Sequence, residues 1–133
     1  MVIDESLLKE LLAEAAKSPR LRMNRDMRNS PDDRSQRMLN ALLPGTQLPI
    51  HRHQKSSETV IILYGKLKEI YYNERGEVTE EHLLAPASPC VGLCVPKGQW
   101  HTIEVIEPSV ISEMKEGSYE PLTAEDTLEL PVR

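Results

Sequence analysis

The stretch Gly45-Thr-Gln-Leu-Pro-Ile-His51-Arg-His53-Gln-Lys-Ser-Ser-Glu58-Thr-Val-Ile-Ile-Leu-Tyr-Gly65 decides how this chain is read. His51 and His53 stand two apart in an extended segment. Side chains alternate faces along a strand, so both rings point the same way. Alone, a His-x-His pair is more often solvent-facing than metal-binding. Glu58 follows across the polar loop Gln54-Lys55-Ser56-Ser57 and opens the apolar run Thr59–Tyr64. A carboxylate at the head of such a run is costly unless it is paired, bound to a cation or left in water at the strand mouth. Forty-three residues after Glu58, His101 follows the turn Pro96-Lys97-Gly98 and opens another apolar segment. A hairpin partner there can carry its ring to the first three groups.

The surrounding chain reads as β. Candidate strands cover 37–43, 47–53, 58–64, 66–72, 77–84, 90–95, 101–105 and 110–116, separated by Gly, Pro and Asn turns. That count and spacing suit a sandwich or barrel, and no helical segments interleave them as a parallel α/β sheet requires. Ahead of the strands, Leu7, Leu8, Leu11, Leu12 and Ala15 recur at helical spacing behind an Asp4 cap, and Ser18-Pro19 ends the helix. Residues 20–37 hold Arg20, Arg22, Arg25, Arg28, Arg34 and Arg37 among turn formers, and predict loops. That arm is either a solvated connection or a reach over a pocket offering guanidinium groups to an anion. The expected organisation is an N-terminal helix and arm over 1–36, a β-barrel over 37–116 and an acidic tail over 117–133, packed outside or partly mobile.

Composition sets the remaining bounds. The chain has 133 residues, enough for one core, with no Phe, so Leu, Ile and Val must build it. A net charge of −5 argues against nucleic acid as a partner. The first residues lack a basic start and an apolar run, and no span is long and apolar enough for a membrane, so a cytoplasmic location is expected. Cys90 and Cys94 are expected reduced, as core or wall residues, too far apart in an extended segment for a disulfide. Tyr64 shares the parity of Val60 and Ile62 and is expected in the core. Trp100 is expected on the wall face opposite His101, and His82, beside Glu80 and Glu81, at the surface.

Gly45-x5-His51-x-His53-x4-Glu58-x6-Gly65 matches the first signature motif of the cupin superfamily, and Pro96-x-Gly98-x2-His101 resembles the core of the second. Cys90 and Val105 depart from that second motif, where glycine and asparagine are usual. The resemblance implies an all-β cupin (double-stranded β-helix, jelly-roll) barrel behind a short N-terminal helix. It also implies that His51, His53, Glu58 and His101 hold one divalent transition metal per chain, with Ni, Fe, Zn or Mn all compatible with such ligands. The segments Ser18–Asn24, Gln36–Leu42, Pro49–His53 and Lys115–Pro121 are similar to the WbuC-type cupin-fold metalloproteins found with O-antigen synthesis genes. The functions in view are isomerisation, epimerisation or oxygenation of a small polar molecule, an anionic or sugar-like ligand, or else metal-dependent binding without turnover. Arg20, Arg22, Asn24, Lys115 and Tyr119 are candidate ligand contacts, and a homodimer is expected.

Overall fold

A computed structural model describes residues 1–129. It opens with helix α1, Glu5–Lys17. Asp4 caps the helix by accepting from the Leu7 amide at 3.0 Å, and Ser18 ends it in extended backbone. Leu7, Leu11 and Ala15 are buried against Leu39, Ala41 and Val110 of the sheet beneath. Leu11 is wholly enclosed, which stabilises by about 2 kcal/mol.

Among the described residues eight strands follow: β1 Arg22–Asp26, β2 Ser35–Leu42, β3 Ile50–His51, β4 Glu58–Tyr72, β5 Val78–Leu84, β6 Gly92–Val95, β7 Trp100–Glu116 and β8 Thr127–Leu128. All pairings are antiparallel. β7 is the spine, pairing with β2, β3 and β4, while β1 borders β2, β8 borders β3, and β5 and β6 border β4. Inside lie Leu42, Val60, Ile62, Leu67, Leu84 and Ile111, with Ile50, Ile70, Tyr72 and Trp100 as a second apolar cluster. This is the cupin jelly-roll expected. Among the described residues no helix is long and apolar enough to cross a membrane.

Several sequence expectations change, among them the strand expected over 47–53, which is only Ile50–His51. The arm over 20–37 is not all loop, because β1 pairs residue for residue with β2, Arg22 opposite Leu42 through Asp26 opposite Met38. Its inward contribution is Met23, packed on the helix cluster, which polar neighbours conceal. The expected strands 58–64 and 66–72 are one strand, as are 101–105 and 110–116. β4 and β7 bend through Gly65 and Pro108 with shifted register and do not stop there. Gly65 has φ +87°, and a Cβ on it would collide with the Pro108 carbonyl oxygen. The Ser109 hydroxyl accepts from the Lys66 amide at 3.0 Å, satisfying backbone that the bend frees. The same bend reverses side-chain parity, so Tyr64 stands 46% exposed and is not core. Cys90 is partly buried against the core but Cys94 is exposed; both are free thiols.

The tail lies along the outside as far as it is described. Residues 124–126 form a single 3₁₀ turn and β8 pairs with β3, Ile50 opposite Leu128. Arg52 and Gln54 both donate to the Asp126 carboxylate. The last residues of the expected tail, 130–133 with Pro131, lie outside the described residues.

Candidate metal centre

Two distant pieces of chain meet at the histidines. His51 on β3 lies directly opposite His101 on β7, and their ring centroids are 4.3 Å apart. His53, past the end of β3, is held by its own carbonyl, which accepts from the Gly98 amide at 2.8 Å. The Pro96–Gly98 turn is thus hooked to the His-x-His segment, and Thr102 adds a bond to the Leu48 carbonyl at 3.1 Å. The result is one cluster: ligand atoms of His51, His53 and His101 all lie within 4.8 Å of one another. The alternation holds on the other face, where the Arg52 guanidinium stacks 4.5 Å from the centroid of the buried Trp100 ring.

Two rings are oriented from behind. His51 Nδ1 donates to the Pro49 carbonyl at 3.0 Å, which leaves its Nε2 bare. His101 Nδ1 shares a 2.6 Å hydrogen bond with Glu69 Oε1, the carboxyl being wholly buried. His101 Nε2 is buried without a hydrogen-bond partner among the described residues, and so is His53 Nε2. Buried polar atoms do not stay unsatisfied without cost. Imidazole nitrogens gathered this closely, with the His51 and His101 rings each steered by an outer hydrogen bond, are what a transition metal requires. The residues present therefore fit such an ion.

Glu58 lies outside that three-residue group but touches it. Its Oε2 is 3.2 Å from His53 Nε2, without the alignment of a hydrogen bond. Burial pushes its carboxyl up, but the His53 and His101 rings and Lys115 outweigh this and hold it below the usual carboxylate range. Burial pushes both His51 and His101 down to about 4, Glu58 opposing this for each, so their rings are neutral at neutral pH. Burial, reinforced by Glu58, raises Glu69 well above the carboxylate range.

A cavity of about 260 Å³ opens beside the cluster, lined by His51, His53 and Glu58 among others. Of the five candidate ligand contacts, Asn24, Lys115 and Tyr119 line it, and Arg20 and Arg22 do not. The arginines that reach it are Arg28 and Arg37, the first paired with Asp26 at 2.6 Å and lying 5.9 Å from the Tyr119 ring. His82 is at the surface, 2.8 Å from Glu80. Sequence reading missed Glu69 and Glu113. Glu69 shares its strand face with Leu67 and Tyr71, and a charged residue flanked so by inward residues was the available signal.

Known structures share this fold at low identity. CapF of Staphylococcus aureus, a capsular polysaccharide assembling protein, matches at TM-score 0.62 and 20% identity over 74% of this chain. The chain spans only 27% of that protein. KdgF from Halomonas sp. matches at TM-score 0.57 and 17% identity over 75% of this chain and 82% of its own. The Cnp3 cupin domain of Schizosaccharomyces pombe matches at TM-score 0.58 and 12% identity over 72% of this chain and 64% of its own. No curated protein matches in sequence. One family model does, over residues 3–84, which is more than half of the chain. The chain thus has a cupin fold and belongs to the family described as a domain of unknown function, DUF6016.

Proposed function

We propose that His51, His53, His101 and Glu58 hold one divalent transition metal, and that the adjoining cavity receives a small polar molecule, a carbohydrate or sugar derivative, for isomerisation, epimerisation or oxygenation. The observation that carries the reading is the cluster of three imidazoles, two with buried, unpartnered Nε2 atoms, and the His101 ring held by Glu69. A divalent ion there polarises a ligand oxygen or lowers the pKa of bound water. The chain's own part is to present neutral rings, to fix the His101 ring through Glu69, and to orient a ligand. Asn24, Gln36, Arg28, Arg37 and Lys115 line the cavity and offer donors to hydroxyl, carbonyl or carboxylate oxygens. The similarity to CapF, a capsular polysaccharide assembling protein, and the WbuC-type resemblance both support a sugar-derived ligand.

We further propose a homodimer, supported by the exposed apolar side chains of Ile61 on β4 and of Val91 just ahead of β6, and a cytoplasmic setting. Calorimetric titration of metal-loaded protein with monosaccharides, uronic acids and sugar phosphates, with products followed by NMR, tests the ligand class. Saturable binding of at least one class, lost in His101→Ala, is expected. Absence of binding across all classes with Ni, Fe, Zn and Mn each loaded would overturn it.

A further inference from the structure

Glu113 lines the same cavity but stands apart from the histidine cluster. It lies on β7 between Ile111, buried in the core, and Lys115, which also faces the cavity. Its register partners are Met38 on β2 and Val60 on β4. Asn40 Nδ2 donates to Glu113 Oε1 at 2.7 Å. That bond fixes the carboxyl plane and leaves Oε2 with no side-chain hydrogen bond among the described residues. A carboxyl held by one oxygen and free at the other, beside a cavity of about 260 Å³ that it lines, is placed to exchange a proton with whatever the cavity holds.

We propose that Glu113 is the proton-transfer group of this cavity, acting on the carbon next to the carbonyl of an α-hydroxycarbonyl ligand, with Asn40 as its positioning residue. The proposal rests on the reading of the cavity as a small-molecule site. It favours isomerisation over oxygenation, because the step needs no oxidant. The ligand C–H bond breaks, its electron pair becomes the C=C bond of an enolate, and the carbonyl π pair moves to oxygen. The proton goes to Glu113 Oε2. Its return to the same carbon after exchange with solvent restores the ligand with solvent hydrogen in place. Its return to the former carbonyl carbon, with the hydroxyl proton passing to the other oxygen, gives the isomer.

The charge around Glu113 suits both directions of transfer. Glu58 and Glu69 of β4 raise its affinity for a proton, Lys115 of β7 and the Asn40 bond lower it, and Asp26, Arg28, Arg37 and Glu120 close the cavity. Burial leads these effects and pushes Glu113 up to about 8, so acid and base forms are both accessible near neutral pH.

The test uses metal-loaded protein in D2O with glycolaldehyde, dihydroxyacetone and fructose as probes, followed by proton NMR. Wild-type protein is expected to speed deuterium uptake at the carbon beside the carbonyl. Glu113→Gln should lower the rate at least about 100-fold, with metal content and melting temperature retained. Asn40→Ala should keep exchange but move the acid limb of its pH profile upward, because the lost hydrogen bond held the carboxyl down. No exchange above the protein-free rate in wild-type protein would overturn proton transfer, while metal content and sugar binding judge the proposed function separately. Equal rates in wild type and Glu113→Gln would overturn the role of Glu113, and an unmoved acid limb in Asn40→Ala the role of Asn40. Should Glu113→Gln fail to fold, Glu113→Asp carries the test, since it keeps a carboxyl but retracts it; a wild-type rate there would overturn the proposal.

Discussion

Replacing Glu69 by Gln isolates the outer hydrogen bond of the centre. Glu69 is wholly buried and its Oε1 lies 2.6 Å from His101 Nδ1, while Oε2 has no partner among the described residues. Glutamine keeps the shape and one hydrogen bond but cannot become the anion that a metal-bound imidazole favours behind it. Loss of such a carboxylate typically lowers metal affinity by about 10- to 100-fold, which is about 1.4–2.7 kcal/mol. The metal-free protein should respond oppositely. Burial disfavours the Glu69 anion, so removing the ionisable group relieves a cost, and the variant should melt no lower than wild type at pH 8. Competition with a chromogenic chelator gives the affinity, and calorimetry gives the melting point. Undiminished zinc affinity in Glu69→Gln would refute the account of how His101 is oriented.

Acid should remove the stability that the neutral His51 and His101 rings give the metal-stripped protein. His51 and His101 have folded pKa values near 4 against 6.5 unfolded, so their contribution is present above pH 6.5 and is lost as pH falls toward 4. That amounts to about 3 kcal/mol for either ring taken singly, read from urea unfolding across that range. Glu113 has the opposite sign: its folded value, near 8, lies above its unfolded one, so its contribution is full below about 4.5 and is lost as pH rises through 8. Stability of the stripped protein should therefore decline between pH 6.5 and 8, and Glu113→Gln should lessen that decline, Glu69 having the same sign. Gly65→Ala drives a methyl into the Pro108 carbonyl oxygen at φ +87°, and should leave little soluble folded protein on expression. Leu11→Ala should cost about 2–5 kcal/mol by chemical unfolding, since α1 seals the sheet through that side chain.

The parts of this molecule readable in its sequence are those whose cause is local. Asp4, Leu7, Leu11 and Ala15 specify α1 within four turns, and the His51-Arg52-His53 alternation places two rings inward and one guanidinium on Trp100. The convergence of His101 was legible only through the spacing of two motifs, because the Gly98–His53 hydrogen bond that enforces it joins distant segments. What escaped was set by tertiary context. β1 is an edge strand whose inward residue, Met23, needs the helix above it to have meaning. Gly65 and Pro108 look like breaks, yet each tolerates the other across a bent pair of strands, and Tyr64 turns outward as a result. Which arginines face the cavity follows from the course of β1 and the loop after it, so Arg28 and Arg37 stand where Arg20 and Arg22 were expected. Glu69 and Glu113 are each identified by partners 32 and 73 residues away.

Crystallography of the protein as purified, with data collected across transition-metal absorption edges, tests the central claim most directly. The account predicts one anomalous peak per chain, about 2.0–2.1 Å from ring nitrogens of His51, His53 and His101. A protein that takes up no metal, or one whose only anomalous peak lies away from those three rings, would contradict it.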